Sequence, residues 1–199
     1  LIFRVLQINL IKKILFKYIN YSLINIYSNN YSRYGDSPNS VFWNSKNNQI
    51  KRLEEIISKI TEKKISIVDV GCGYGALYQY LLNMRLLDRF DYEGVDINSD
   101  FIKSCKKKYP QINFFVSNKS KKIVDYVVMS GTYNLATLND VIFWEKYIFQ
   151  NLVECFELCK TGLIFNMHVN NFTIIRNKIF YTTEKRMTSL LSNITKNIR

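Results

Sequence analysis

The sequence predicts an α/β protein built on a doubly wound, mostly parallel sheet with helices on both faces. Two observations support this prediction. Short apolar runs rich in Val and Ile alternate along the chain with longer segments whose apolar residues recur every three to four positions. The first clear run, from Ile65 to Val70, leads directly into three alternating glycines. Strands joined by helices run parallel, so a ligand is expected at their carboxyl ends.

The length and composition are those of one basic domain. A chain of 199 residues suits a single α/β core. The net charge of +12 would favour nucleic acid or an anionic membrane as partner, but the abundance of Lys, Asn, Ile, Tyr and Phe is typical of an AT-rich genome and weakens that argument. The cysteines lack CxxC pairing and a histidine at metal-ligand spacing, which favours buried thiols over a metal site and indicates a reducing cytoplasm. They are Cys72, Cys105, Cys155 and Cys159.

Residues 1–40 are predicted to be a helical and loop extension, and residues 41–199 to form the main domain. Basic residues interrupt the apolar residues 1–27, so no transmembrane stretch is predicted. Polar residues fall on two opposite sides of a helical wheel, which favours packing on the domain or partial disorder over a membrane-lying helix. Residues 27–48, rich in Ser, Asn and Tyr, are predicted to be a loop. The start at Leu1 suggests a fragment or an alternative start.

The remaining elements follow from periodicity and from helix-ending residues. Asn139 or Asp140 is expected to cap the longest helix, and Gly162 to end it as a C′ glycine. No clear sixth and seventh strands precede Arg199, which predicts a sheet whose C-terminal strand pair is missing or truncated. The predicted helices are 49–61, 76–87, 100–109, 140–158 and 183–194, the predicted strands are 65–70, 91–97, 112–116, 123–129 and 163–168, and residues 173–181 are a hairpin or a loop.

The glycine turn after the first strand is the main functional signal. Val68 to Gly75 follows the order hydrophobic strand, acid, then GxGxG. Without a Cβ, such a turn lets backbone N–H groups approach a ligand, and the following helix N-terminus adds partial positive charge. Asp96 ends the second strand about twenty residues later, where nucleotide-binding α/β folds bond the ribose hydroxyls. The sequence therefore predicts a nucleotide-like cofactor at this edge of the sheet.

These residues resemble the motifs of the class I S-adenosylmethionine-dependent methyltransferases. Val68 to Gly75 is similar to the first motif of that family, and Val95-Asp96 to the second. The resemblance implies a Rossmann-like fold, S-adenosylmethionine as cofactor and direct in-line displacement of the methyl group. Residues 43–45, 49–52, 125–134 and 162–166 extend the likeness and resemble a poorly characterised bacterial branch, which usually carries a further C-terminal strand pair.

The resemblance implies a set of cofactor-binding residues. Asp69 would fix the loop or meet the amino group through water, unless it caps the helix turn. Asp96 would bond the ribose, with Ile97 against the adenine, and Asn118 stands where the family often has an acid for the adenine amino group. Arg52 would pair with the cofactor carboxylate or lie on a solvated helix face. The full set is Arg52, Asp69, Gly71, Cys72, Gly73, Gly75, Asp96, Ile97, Asn118, Ser130 and Gly131.

Three weaker candidates face the expected methyl acceptor. Tyr133 and Asn134 follow the fourth strand and would meet the acceptor, unless they pack and cap a turn. His168, the only histidine, ends the predicted fifth strand and is either a general base or structural. The acceptor is unidentified, with a small molecule favoured. The alternative is a non-catalytic or degenerate cofactor-binding module that binds RNA; the sequence does not indicate an oligomeric state.

Overall fold

The computed structural model describes the backbone of residues 2–198 and the side chains of residues 11–198. In chain order the elements are α1 (Ile2–Tyr34), α2 (Lys46–Ser58), β1 (Ile65–Val70), α3 (Ala76–Asn83), β2 (Phe90–Asp96), α4 (Ser99–Lys108), β3 (Asn113–Val116), β4 (Val124–Ser130), α5 (Val141–Phe156), β5 (Cys159–Asn166), β6 (His168–Val169), β7 (Ile174–Arg176), β8 (Ile179–Thr182) and α6 (Glu184–Leu191). Short 3₁₀ turns lie at Pro38–Val41 and Leu87–Arg89.

A five-stranded parallel sheet in the order β3-β2-β1-β4-β5 organises the fold, which confirms the predicted α/β class. Central strand β1 is covered on both faces, which explains why four of its six residues are Ile or Val. Its side chains alternate between two cores. Ile67 packs in the core with α2, α3 and α4, and Val68 packs in the core with α1 and α5.

Helix α1 runs through Tyr34, so the loop predicted from residue 27 is wrong in its first part. Tyr27 and Tyr31 pack edge-on against Phe101 of α4, and this contact holds the last turns of the helix on the domain. Ile19 is fully buried in the core shared with α5. The proposed division of the chain at residue 41 stays a prediction.

Two assignments near the end of the sheet are wrong. Gly162 lies inside β5, opposite Tyr126 of β4, and α5 already ends at Phe156. The missing Cβ leaves room for the Tyr126 ring, since a Cβ would lie 3.4 Å from it. His168 belongs to β6, because the chain leaves the main sheet after Asn166 and pairs with β8 instead.

A second, three-stranded sheet in the order β6-β8-β7 stands beside the main one. The β7–β8 hairpin turns through Asn177 and Lys178, both at positive φ as in a type I′ turn. Helix α6 then docks on α5 through Arg186, whose guanidinium donates to both carboxylate oxygens of buried Glu145 at 3.0 and 2.7 Å. The hairpin thus forms a separate wall and adds no strand to the main sheet.

Candidate active site

A cavity of about 800 Å³ opens at the carboxyl ends of β1, β2, β4 and β5. This is the size range of a site for a cofactor and a small molecule. All of the predicted site residues line it except Gly75. They are Arg52, Asp69, Gly71, Cys72, Gly73, Asp96, Ile97, Asn118, Ser130, Gly131, Tyr133, Asn134 and His168.

Four N–H groups of the glycine loop are bonded within the protein. Those of Gly71 and Cys72 both donate to the carbonyl of Val95, at 2.8 and 3.0 Å. Gly73 N donates to Asp96 Oδ2 at 2.9 Å, and Gly75 N donates to the carbonyl of Cys72 at 3.0 Å. The expectation that the loop N–H groups approach a ligand is therefore wrong for these four donors. Because these four donors are already bonded, they are not available to a phosphate.

Two of the loop glycines are required by close packing. Gly71 has φ +77°, and a Cβ there would lie 2.8 Å from Thr132 Cγ2. Thr132 is itself fixed, because its hydroxyl donates to the carbonyl of Val70 at 2.8 Å. Gly75 points away from the cavity, towards Cys105 Sγ and the Tyr109 ring, each 3.3 Å from a Cβ placed there. Gly75 thus shapes the loop from behind and does not line the cavity.

Two buried acids lie side by side in the cavity wall. Asp96 accepts from Gly73 N and, through Oδ1, from Asn98 N at 2.8 Å, which ties the loop to the end of β2. Asp69 accepts from the Tyr92 hydroxyl at 2.9 Å. Burial raises the pKa of Asp96 to about 6. Burial, and then the negative charge of Asp96, raise the pKa of Asp69 to about 7 even though the Tyr92 bond lowers it.

Asp69 and Asp96 mark one end of the cavity, the acidic end, and its electrostatics favour a cationic ligand. Neither Asp69 nor Asp96 forms a salt bridge with any Lys or Arg whose side chain the structure describes. A buried carboxylate without a counter-charge is stabilised by any cation that enters beside it. A diphosphate would instead meet two buried acids beside the N–H groups of Gly71, Cys72 and Gly73, which are already bonded. The wall also holds two buried polar atoms without a partner, Ser130 Oγ and Asn166 Nδ2.

Asn118 and Ile97 complete the cofactor end. The Asn118 amide donates through Nδ2 to Asn151 Oδ1 at 3.2 Å, so its own oxygen is oriented away from that partner and remains an acceptor. Ile97 is a partly buried apolar wall beside Asp96. Cys72 lies 5% exposed, and burial raises the pKa of its thiol well above the usual range, so it is a packing residue and a poor nucleophile.

The opposite end of the cavity, the aromatic end, contains Tyr133, Asn134 and His168 and is assembled from segments distant in sequence. Asn134 Oδ1 accepts from the backbone N of His168 at 3.3 Å, and the Asn134 carbonyl accepts from Phe180 N at 2.8 Å. Asn134 therefore joins β4 to the small sheet. Tyr133 is 6% exposed, packs edge-on against Tyr147, and burial raises the pKa of its phenol well above the usual range.

Arg52 brings a cationic group to this end. Its guanidinium lies 5.6 Å from the centroid of the Trp43 ring and forms no ion pair with the described residues. Burial, together with the charge of Arg52, lowers the pKa of His168. The His168 ring, which packs beside Tyr181 at 5.5 Å between centroids, is therefore neutral near pH 7.

Sequence reasoning missed the cavity residues from the two ends of the chain. Leu23 and Tyr27 of α1 enter the wall from one side, and Ile179 and Tyr181 of β8 from the other. The apolar spacing through residues 16–27 could have indicated that the helix packs on the domain. No local signal shows that β8 folds back beside the main sheet, because its partner β6 is only two residues long.

Comparison with known proteins shows a similarity to methyltransferases. Residues 68–165 match the family model described as a methyltransferase domain. Over this stretch, which is just under half of the chain, the sequence is similar to the class I S-adenosylmethionine-dependent methyltransferases. A relative from Mycobacterium tuberculosis named as a methyltransferase, Rv1506c, is 28% identical over 104 residues, which are 51% of this chain and 61% of the relative. The chain thus spans about three fifths of the length of that relative.

Solved methyltransferase structures share the fold at low sequence identity. A Leishmania major S-adenosylmethionine-dependent methyltransferase superposes with a TM-score of 0.62 at 11% identity, over 87% of this chain and 71% of that one. The PH0226 protein of Pyrococcus horikoshii gives 0.54 at 19% identity, over 75% and 82%. Human N-acetylserotonin methyltransferase, solved with S-adenosylmethionine, gives 0.54 at 14% identity, over 72% and 45%. Identities this low show the fold alone.

Two further properties concern metals and membranes. Across the described residues, no group of three or more His, Cys, Asp or Glu side chains is placed to hold a metal ion. No helix in the described part of the chain combines the length and apolarity needed to cross a bilayer.

Proposed function

We propose that this protein binds S-adenosylmethionine in the cavity and transfers its methyl group to a small molecule. The observation that supports this most is the pairing of two unlike ends in one cavity. One end holds buried acids that lack a counter-charge, and the other holds a neutral histidine beside a free guanidinium. A cationic sulfonium cofactor suits the first end, and a proton-releasing acceptor suits the second.

The residues of the acidic end suit the parts of the cofactor. The Asp96 carboxylate is fixed by two backbone donors and keeps lone pairs for the two hydroxyls of a ribose. Ile97 offers an apolar face for the adenine, and the Asn118 oxygen an acceptor for its amino group. From the opposite end, Arg52, without an acid of its own, would reach the cofactor carboxylate. Ser130 and Gly131 would lie beside the methyl donor.

The protein would contribute alignment, exclusion of water and a proton acceptor. When bound, the cofactor supplies a methyl group already activated by the positive sulfur. Trp43, Tyr133 and Tyr181 wall the opposite end with aromatic surface that excludes water and positions an acceptor. His168 is neutral at pH 7 and can take a proton from a hydroxyl or amine there. No covalent enzyme intermediate is required.

Binding of S-adenosylhomocysteine to the whole chain tests the proposal by calorimetry. We expect binding by the unaltered protein and a loss of at least about tenfold in Asp96→Asn, since a buried charge-assisted contact is worth about 1.5–3 kcal/mol. Asp91→Asn is the matched control, because Asp91 lies exposed on the same strand with only a surface ion pair to Lys122 at 3.5 Å. A folded protein that binds no S-adenosylhomocysteine, or equal affinity in D96N and D91N, would contradict the proposal.

A labelled-methyl screen against small-molecule pools and RNA then addresses the acceptor. We expect label in a small molecule, since the cavity of about 800 Å³ is in the size range of small-molecule sites and aromatic side chains line its acceptor end. The rival, a non-catalytic RNA-binding module, would show RNA affinity that is lost with added salt and persists without cofactor, and no transfer to any pool. The four unpaired thiols support a reducing compartment, the cytoplasm, as the place of this activity.

A further inference from the structure

Helix α1 carries a second apolar stripe on the side that faces away from the domain. Ile11, Ile14, Tyr18 and Tyr21 are spaced by three, four and three residues and therefore share one helix face. Their exposed fractions run from 57% to 64%. The stripe is about 15 Å long at the helical rise of about 1.5 Å per residue. It lies opposite the buried face, on which Ile19 is fully covered.

This arrangement explains why the helical wheel indicated poor amphipathicity. An interfacial helix is expected to have one apolar and one polar face. Here one apolar face, with Phe16 and Leu23, packs on α5 and the sheet, so the other is free to contact something else. The polar residues on the two sides of the wheel lie between the buried apolar face and the exposed apolar stripe.

The charge of the helix selects the kind of partner. No Asp or Glu occurs anywhere in Ile2–Tyr34. Lys13 and Lys17 are exposed and lie next to each other along one border of the stripe. Lys12 points instead to the domain, where it donates to Gln150 at 3.2 Å. A second copy of this helix would bring like charges together, whereas an anionic surface neutralises them.

We propose that this face of α1 seats the protein on an anionic lipid surface. The isoleucines would enter the boundary between headgroups and acyl chains. The two tyrosines would lie at headgroup level, where such rings concentrate, and Lys13 and Lys17 would extend to the lipid phosphates. The helix lies on the surface and does not span it. The proposal does not depend on the chemistry of the cavity.

Vesicle co-sedimentation of the whole chain tests this. We expect it to bind vesicles of phosphatidylcholine mixed with phosphatidylglycerol, to bind phosphatidylcholine alone much more weakly, and to be released by added salt. Lys13→Glu with Lys17→Glu should lower partitioning about tenfold or more, because each basic residue near the surface contributes about 1 kcal/mol. Lys59→Glu with Lys63→Glu is the matched control, since both lysines are exposed elsewhere and the net charge changes equally.

The apolar contribution is tested by Ile14→Ser with Tyr18→Ser, against Ile123→Ser, an isoleucine 59% exposed on another part of the surface. The stripe variant should lose binding and the control should keep it, with thermal unfolding unchanged in both. Equal binding by the two lysine variants would mean that net charge alone attracts the protein, and would overturn the proposal. So would a dimer, measured by sedimentation velocity, that disappears in the stripe variant.

Discussion

The two ends of the cavity are built in opposite ways. The acidic end comes from two short stretches, residues 69–76 and 96–98, which bond to each other through loop N–H groups and the Asp96 carboxylate. The aromatic end comes from α2, β4 and the small sheet, which meet through single contacts such as that of Asn134 Oδ1 with His168 N. The first end is fixed by its own hydrogen bonds, whereas the second depends on how peripheral elements dock. Substitutions should therefore abolish binding at the first end and adjust chemistry at the second.

The largest effect is expected from Gly71→Ala. An alanine at φ +77° costs about 1–2 kcal/mol, and overpacking by a Cβ 2.8 Å from Thr132 Cγ2 adds about 1–3 kcal/mol. Since Thr132 is fixed by its bond to Val70, the loop itself must move. Affinity for S-adenosylhomocysteine, measured by calorimetry, should fall by about a hundredfold, which corresponds to about 2.8 kcal/mol.

Gly35→Ala is the control for Gly71→Ala. Gly35 has φ +59°, but a Cβ there has no atom within 4 Å and the residue lies outside the cavity lining. The two variants therefore share the backbone strain and differ in the clash. G35A should lose some stability and keep the affinity of the unaltered chain. Unchanged affinity in G71A would show that the loop does not shape the binding site.

The next effect is a dependence of stability on pH. The pKa of Asp69 is about 7 in the folded protein and about 3.9 when unfolded. Between these values the folded chain holds a proton that the unfolded chain has released, so stability is greatest at low pH and is lost as pH rises towards 7. The free energy of unfolding from urea titration should fall by about 4 kcal/mol from about pH 5 to 8, of which about 2–3 kcal/mol comes from Asp69 and about 1 kcal/mol from Asp96, whose pKa is also raised, to about 6. Asp69→Asn should remove most of this fall.

Asp125 provides a control of opposite sign. Hydrogen bonds from Ser66 N and Oγ, both at 2.7 Å, lower the pKa of Asp125. The stability that these hydrogen bonds contribute is present above the unfolded pKa and is lost as pH falls. Asp125→Asn should therefore lower the free energy of unfolding at neutral pH and leave its decline between pH 5 and 8 in place. Stability of the unaltered chain that stays level over this range would mean that Asp69 is ionised when folded.

Features that depend on local patterns could be predicted from the sequence, whereas features that depend on contacts between distant segments could not. The β1 run, the glycine turn and Asp96 are local patterns, and the structure places each at the carboxyl edge of the sheet. The use of the loop N–H groups could not be predicted, because Gly71 bonds to Val95 of another strand. A short-range pattern shows where a turn is but not which donors its neighbours already satisfy.

Misassigned positions share a physical cause. A glycine such as Gly162 is typical of a helix C-terminus, yet this one lies in β5, which pairs with β4. The Tyr126 ring packs against the space that a side chain at this position would occupy. His168 follows an apolar run, yet β8 supplies its strand partner. In both cases a long-range strand pairing overrides a local preference, and such pairings leave little trace in a single sequence.

The smallest effect is expected at His168, and it tests the aromatic end directly. Burial is the larger reason that the pKa of His168 lies below 6.5, and the charge of Arg52 is the second. Arg52→Gln should therefore raise that pKa by less than about one unit. His168 is the only histidine, so its ring signals in an NMR pH titration need no assignment. Lys59→Gln, which removes an exposed charge just past the end of the same helix, should leave the midpoint unchanged.

The titration also distinguishes a base from a structural histidine once an acceptor is known. If His168 takes the proton, the rate of methyl transfer rises with pH through the pKa measured by NMR, and that inflection moves upward in Arg52→Gln by the same amount. A structural histidine would show the NMR shift without any matching change in the rate profile. Because Arg52 is also proposed to hold the cofactor carboxylate, affinity for S-adenosylhomocysteine is measured in the same variant. A shift in the profile that persists at saturating cofactor then reports on His168 alone.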